Sequence, residues 1–234
     1  MLLPFCPPLR RARFRARRKR FFADCTLDGG DVVAHCANTG SMRTLLHPDV
    51  DAWLRPGRPG AKLAWQLVLL GTPDGGLALI DTQVPNALIA AAIAADRIPA
   101  LAGYAQCVRE PRLGAGRCDL RLDGPGRPPC LIEIKNVTMA GDDGRADFPD
   151  AVTERGTRHL GELAAAVRSG CRAVQLFLVA RTDRQRCGIA AAIDPAYATA
   201  LRSAVAAGVE TIAIPARLGP DGTDIGPPCP LDMP

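Results

Sequence analysis

Residues 117–139 read Arg-Cys-Asp-Leu-Arg-Leu-Asp (117–123), Gly-Pro-Gly-Arg-Pro-Pro (124–129) and Cys-Leu-Ile-Glu-Ile-Lys-Asn-Val-Thr-Met (130–139). Two alternating runs flank a Gly/Pro cluster, the signature of a β-hairpin with a longer loop. Side chains alternate faces along a strand, so Ile132 and Ile134 point one way, and Glu133 and Lys135 the other. Folding the hairpin symmetrically about Gly126 sets Asp119 opposite Glu133. It also puts Leu120 and Leu122 on the face of Ile132 and Ile134. A slip of one residue would separate the two acids but would push the isoleucines into water.

Carboxylates facing each other across a ladder repel. A shared proton, a basic neighbour or a divalent cation would offset this. Mg²⁺ takes oxygen ligands from one or two carboxylates together with water and phosphate. Lys135, on the same face, is placed to meet an attacking water or a developing phosphate charge. The competing reading is a solvated surface strand in which Lys135 merely bridges Glu133. Composition favours the site. The chain has 29 basic residues, of which only Lys19, Lys62 and Lys135 are lysine, and only five glutamates. A chain that writes Arg almost everywhere keeps a compact, tunable ammonium beside Glu133, a role the bulkier guanidinium cannot fill.

At 234 residues the chain is long enough for one large domain or two small ones. It is 47% hydrophobic but only 4% aromatic, so its core must be aliphatic. Nine cysteines without a CxxC pair read as reduced thiols of a cytoplasmic protein, not as a zinc site or a disulfide framework. No apolar run is long enough to span a bilayer, and the basic start lacks the apolar region of a secretory signal. Eight of the eleven residues from Arg10 to Arg20 are basic and none is acidic. Without this run the net charge of +5 would turn negative. The positive field is therefore local, which suits contact with a polyanion, although a solvated arm is the plain alternative. Arg13 and Arg15 around Phe14 at period two suggest a strand with one basic face.

Short strand patterns follow at 21–27, 31–36, 52–54, 63–70 and 77–81, separated by turns such as Asp28-Gly29-Gly30 and Asn38-Thr39-Gly40. Such spacing predicts a small OB-like β-barrel over residues 1–82. OB-folds commonly hold nucleic acid with basic grooves and stacking aromatics. Here the DNA- or phosphate-binding candidates are Arg13, Arg15, Arg17, Arg18, Lys19, Arg20 and Lys62, with Phe22 and Trp65 beside them. Core packing is the stronger expectation for Trp65.

From residue 83 to 234 the patterns predict, in order, a helix over 86–96, the hairpin, a helix over 151–169 capped by Asp150, a strand over 174–180, a helix over 195–207 and a strand over 209–214. This is a mixed-sheet α/β domain. The acidic run Gly141-Asp142-Asp143-Gly144 lacks an alternating ligand pattern and reads as a turn. On the helix after the hairpin, Glu154 and Arg158 are four apart, as are Arg155 and His159.

Asp119, a turn, and Glu133-Ile134-Lys135 resemble the PD-(D/E)xK nuclease-like motif. Two longer strings are more specific: Glu133-Ile134-Lys135-Asn136-Val137-Thr138, and Phe148-Pro149-Asp150-Ala151-Val152-Thr153-Glu154-Arg155-Gly156. With Arg18-Lys19-Arg20-Phe21-Phe22-Ala23-Asp24 and the stretch from Ala34 to Met42, they resemble the SfsA family, the sugar fermentation stimulation proteins. The resemblance implies an OB-like domain, a nuclease-like domain, DNA binding and a link to regulation of sugar catabolism. It implies a catalytic set of Asp119, Glu133 and Lys135: Mg²⁺ or Mn²⁺ at Asp119 and Glu133 with the Ile134 carbonyl, and Lys135 orienting water or stabilising the pentavalent transition state. It also makes Arg155 and His159 phosphate-binding candidates and Glu154 a secondary candidate. There are departures: Cys118 stands where the motif has proline, Ala37 replaces a usual proline, and the helix before the hairpin carries alanines around Ala91 where an acid is expected. The chain thus reads as a sequence-nonspecific DNA-binding protein with a metal-dependent nuclease site, or as a DNA-binding regulator that keeps only the fold. A sugar- or nucleotide-binding enzyme is a third class, but no P-loop or GxGxxG supports it.

Overall fold

The computed structural model describes residues 1–113 and 116–234. Five strands, Arg10–Arg18, Phe22–Leu27, Gly30–His35, Asp51–Pro56 and Trp65–Gly71, form the barrel. Neighbours in the order 30–35, 22–27, 10–18, 51–56, 65–71 pair antiparallel, and a parallel pairing of Ala34 with Trp65 and His35 with Gln66 closes the ring. Alternation fills the interior: Phe14, Cys25, Leu54, Leu67 and Leu70 are buried together, with Leu45 from the connecting loop. The basic run is the strand its period-two pattern predicts, Phe14 facing inward and Arg13 and Arg15 outward.

The second domain is built on a seven-stranded mixed sheet. Its order is Leu3–Pro4, Gly222–Ile225, Glu210–Gly219, Arg172–Val179, Cys130–Val137, Leu120–Asp123, Gln106–Arg109. The strands at 130–137, 172–179 and 210–219 run parallel, as crossover helices require, while the flanking strands are antiparallel. Helix α1 (Val84–Ala94) covers one face, burying Val84, Leu88, Ile89 and Ile93 against Leu120, Leu122, Ile132 and Ile134. Helices α2 (Glu154–Arg168) and α3 (Pro195–Ala206) cover the other, with Leu160, Leu163, Tyr197 and Leu201 over Leu131, Val137 and Phe177. Each fully buried aliphatic side chain contributes roughly 1.5–3 kcal/mol of transfer free energy, so the two faces hold the sheet firmly.

Three elements differ from the sequence expectation. The first strand, Leu3–Pro4, pairs with Gly222 and Thr223 at the edge of the large sheet and not in the barrel. A second, four-stranded sheet of Met139–Ala140, Arg145–Phe148, Arg186–Ile189 and Leu231–Asp232 is too short-stranded to give a clear pattern. Helix α2 starts at Glu154, capped by the Thr153 hydroxyl that accepts from the Gly156 N–H at 3.0 Å, and not by Asp150. The 141–144 run is a turn between Met139–Ala140 and Arg145–Phe148, with Asp143 at φ 54° and Gly144 at φ 73°. The nine cysteines are unbridged. Among the described residues no helix is long and apolar enough to cross a membrane.

Barrel and sheet are tied by backbone. Strand Leu77–Leu79 pairs with Trp65–Gly71. Its far edge meets the segment after the large sheet's central strand, Leu79 N–H donating to the Ala180 carbonyl and Thr182 N–H to the Leu77 carbonyl, both at 2.9 Å.

Candidate active site

The hairpin has the register that symmetry about Gly126 predicts: Leu120 pairs with Ile132, Arg121 with Leu131 and Leu122 with Cys130. Asp119 is the next residue out, across from Glu133, and its Oδ2 accepts from the Ile134 N–H at 2.7 Å. Its other oxygen, Oδ1, accepts from the Asn86 side-chain amide at 2.8 Å. Asn86 lies in the first turn of α1. The residue that the preceding helix sends to Asp119 is Asn86, five residues before Ala91, and it brings an amide.

Glu133 is only 5% exposed, Lys135 9% and His159 3%. The Lys135 ammonium donates to Glu133 Oε1 at 2.8 Å. His159 Nδ1 also meets Oε1 in a short contact. Among the described residues no hydrogen bond reaches Oε2 of Glu133. The strand below is pinned by Gln175, whose amide donates to the Glu133 carbonyl at 2.9 Å.

Two carboxyls in one place thus have opposite surroundings. Burial pushes the Asp119 carboxyl above its ordinary pKa, and the neighbouring Glu133 charge adds to this; the Ile134 N–H, Asn86 and Lys135 only partly offset it. Burial pushes Glu133 up as well, but the bond from His159 and the charge and bond of Lys135 outweigh it and hold Glu133 below its ordinary value. The repulsion expected from the sequence is relieved on the Glu133 side by two basic neighbours, and it persists on the Asp119 side.

The other candidates are distributed unevenly. His159 is buried against Glu133 and so is placed to orient that carboxylate, not to face a phosphate. Arg155, exposed on the first turn of α2, reaches His159 Nε2 at 3.4 Å, and Glu154 is exposed beside it. On the barrel, Arg13 pairs with Asp51 at 3.0 Å, Arg15 with Asp49, and Arg18 with Asp24. Among the described residues Arg17 makes no carboxylate pair; it donates to the carbonyls of Asn38 at 2.5 Å and Gly40 at 2.9 Å. The basic strand is thus largely balanced by aspartates distant in sequence. Lys19, Arg20 and Lys62 have no ion pair among the described residues. Cys118 fills the slot of the motif's proline: its buried thiol, pushed up to about 12 by burial, donates to the Ile132 carbonyl at 2.9 Å. Sequence reasoning missed Asn86 and the His159–Glu133 contact, neither of which carries a local sequence signal.

The fold agrees with what is seen in related proteins. The profile of the SfsA N-terminal OB domain matches residues 16–80, and that of the sugar fermentation stimulation protein RE domain matches residues 83–222. The chain belongs to the SfsA family. It is 46% identical to a sugar fermentation stimulation protein homolog of Paramagnetospirillum magneticum, over 98% of each chain. It is 47% identical to that of Acidithiobacillus ferrooxidans, over 92% of this chain and 94% of the relative. The solved structure of Pyrococcus furiosus SfsA in complex with Ca²⁺ superposes with a TM-score of 0.89 at 25% identity, over 99% of both chains. The SfsA fold is therefore an OB-type barrel followed by a mixed-sheet α/β domain, as the sequence patterns predicted.

Proposed function

We propose that this SfsA protein binds DNA through its phosphate backbone and carries a divalent-metal phosphodiesterase site at the hairpin. The observation that carries the reading is the facing of Asp119 and Glu133 with the Lys135 ammonium in the same row. The donor set suits a hard cation: two carboxylates, one with an unengaged oxygen, and the adjacent Ile134 carbonyl. Asp119, reluctant to ionise beside Glu133, gains most from a positive ion. A family member has been solved with Ca²⁺, which supports divalent binding here, with Mg²⁺ or Mn²⁺ as the working ions.

Asp119 and Glu133 would hold the ion, which supplies Lewis-acid stabilisation of the phosphoryl oxygens and a more acidic water. His159 and Lys135 keep Glu133 ionised in its buried position. Lys135 also provides the positive charge that meets the developing pentavalent phosphate. Lys19, Arg20, Lys62 and Arg155 offer phosphate contacts that do not read base edges. Nine free thiols suit a reducing cytoplasm.

A second reading is a non-catalytic DNA-binding regulator of sugar catabolism. It is favoured by the alanines around Ala91 on α1, which leave out the acid expected there, and among the described residues no three metal-ligating side chains cluster. The deciding experiment is Mn²⁺- and Mg²⁺-dependent cleavage of plasmid and single-stranded DNA by wild type and Lys135→Ala, with binding measured on both. Cleavage by wild type alone, with binding intact in both, establishes the nuclease. Binding without cleavage by either establishes the regulator, and no binding by either defeats both readings.

A further inference from the structure

We infer that the barrel carries a stacking cleft for the bases of unpaired, single-stranded DNA. An apolar cleft of ≈ 420 Å³ opens on the barrel surface, walled by Phe21, Phe22, Trp65 and Leu63 and edged by Arg58 and Lys62. Three aromatic rings on one cleft are a large share of a chain with only ten aromatic residues. No acidic residue lines it.

That charge pattern differs from the rest of the barrel. Arg10, Arg11, Arg13, Arg15 and Arg18 of the Arg10–Arg18 strand are matched by Asp24, Asp28, Asp49 and Asp51. At the cleft, Lys62 has no ion pair among the described residues, and Arg58 meets only the neutral amide oxygen of Gln83. Cations left unneutralised beside apolar rings suit a ligand with flat apolar faces and a regular negative charge. A single DNA strand has both, stacking its bases on aromatics while its phosphates meet the cations. A duplex hides those faces and offers only the charge.

Phe21 is 46% exposed. It follows Lys19 and Arg20, which hold left-handed backbone at φ 48° and 63°. These two residues form the turn between the Arg10–Arg18 and Phe22–Leu27 strands, where tight hairpins call for positive φ. Gln83 lines the cleft at the start of α1, and Asn86, less than one turn along the same helix, holds Asp119.

The test compares binding of a labelled oligo(dT) strand and a duplex of equal length by wild type, Phe21→Ala and Lys62→Gln. Both side chains are on the surface, so folding is retained. The expected result is about tenfold weaker oligo(dT) binding by Phe21→Ala, with duplex binding unchanged. Lys62→Gln should weaken oligo(dT) binding and flatten its salt dependence. The proposal rests on the DNA-binding reading above. Variants that bind oligo(dT) like wild type, an equal loss on duplex, or duplex binding without oligo(dT) binding would overturn the cleft and leave that reading standing. Failure to bind either DNA would overturn both.

Discussion

Asn86→Asp adds a carboxylate beside Asp119, and it separates the site's two roles. The amide now donates to Asp119 Oδ1 at 2.8 Å, in a part-buried setting. A hydrogen bond to an ionised group contributes about 1.5–3 kcal/mol, and the isosteric acid replaces it with repulsion. Asp119 is already pushed up by burial and by Glu133, so a third carboxyl has no basic partner to relieve it. In EDTA the variant should lose roughly 3 kcal/mol, about 6–12 °C in melting temperature for a chain of this size. With Mn²⁺ the sign reverses, because three carboxylates hold a divalent ion better than two. The Mn²⁺-induced rise in melting temperature should therefore be larger in Asn86→Asp than in wild type. Differential scanning fluorimetry in EDTA and across a Mn²⁺ titration reads both effects. Equal Mn²⁺ shifts in the two proteins would refute the placement of the ion at Asp119, and an unchanged melting temperature in EDTA would refute the electrostatic account.

Asp119→Asn should stabilise the metal-free protein at neutral pH. The folded pKa of Asp119 is raised, so its penalty is absent below the unfolded value of 3.8 and grows as pH rises through the raised value; urea melts should show the advantage of Asn vanishing in acid. Glu133 has the opposite sign: its lowered pKa gives stability that is present above 4.5 and is lost as pH falls, so Glu133→Gln should lose its destabilisation in acid. Gly40→Ala drives a Cβ into the Asp150 carboxylate and should cost about 1–3 kcal/mol in chemical denaturation, since that carboxylate is held by the Met42 N–H at 3.1 Å. Asp183→Asn strips the bidentate partner from Arg181, which is 1% exposed and also donates to the Thr138 carbonyl at 3.0 Å. The expected loss is roughly 3–5 kcal/mol, read by urea unfolding.

What was legible in the sequence had short-range causes. The hairpin register follows from alternation and a symmetric loop, because any slip exposes Ile132 and Ile134. The barrel strands follow from alternating patterns broken by Gly-rich turns. What was not legible depends on elements brought together by packing. Asn86 meets Asp119 only because α1 lies across the hairpin, 33 residues apart in sequence. His159 reaches Glu133 only because α2 packs on the opposite face. The arginine strand looked unneutralised because its aspartates, such as Asp49 and Asp51, lie on the next barrel strand or just before it. Asp150 looked like a helix cap because Asp and Thr, both good caps, stand three residues apart; tertiary contacts claimed the first and left the second to α2.

Those contacts also explain the Asn38–Met42 loop, which has no chemistry of its own. Arg17, from the barrel's basic strand, donates to the carbonyls of Asn38 and Gly40 and so holds the loop's backbone. The loop in turn grips Asp150: the Ser41 hydroxyl donates to its carbonyl at 2.8 Å and the Met42 N–H to its carboxylate. Gly40 lacks the Cβ that would block this approach. Asp150 lies three residues before the cap of α2, the helix that carries His159 to Glu133. On the other side, the Asn136 amide, one residue beyond Lys135, donates to the Leu79 carbonyl of the barrel's last strand at 3.0 Å. The barrel therefore braces the hairpin site from both ends, through Asn136 on the strand and through Asp150 on the helix. A site whose key carboxylate depends on a histidine from that helix needs such bracing, because a small shift of α2 would leave Glu133 buried with Lys135 as its sole partner.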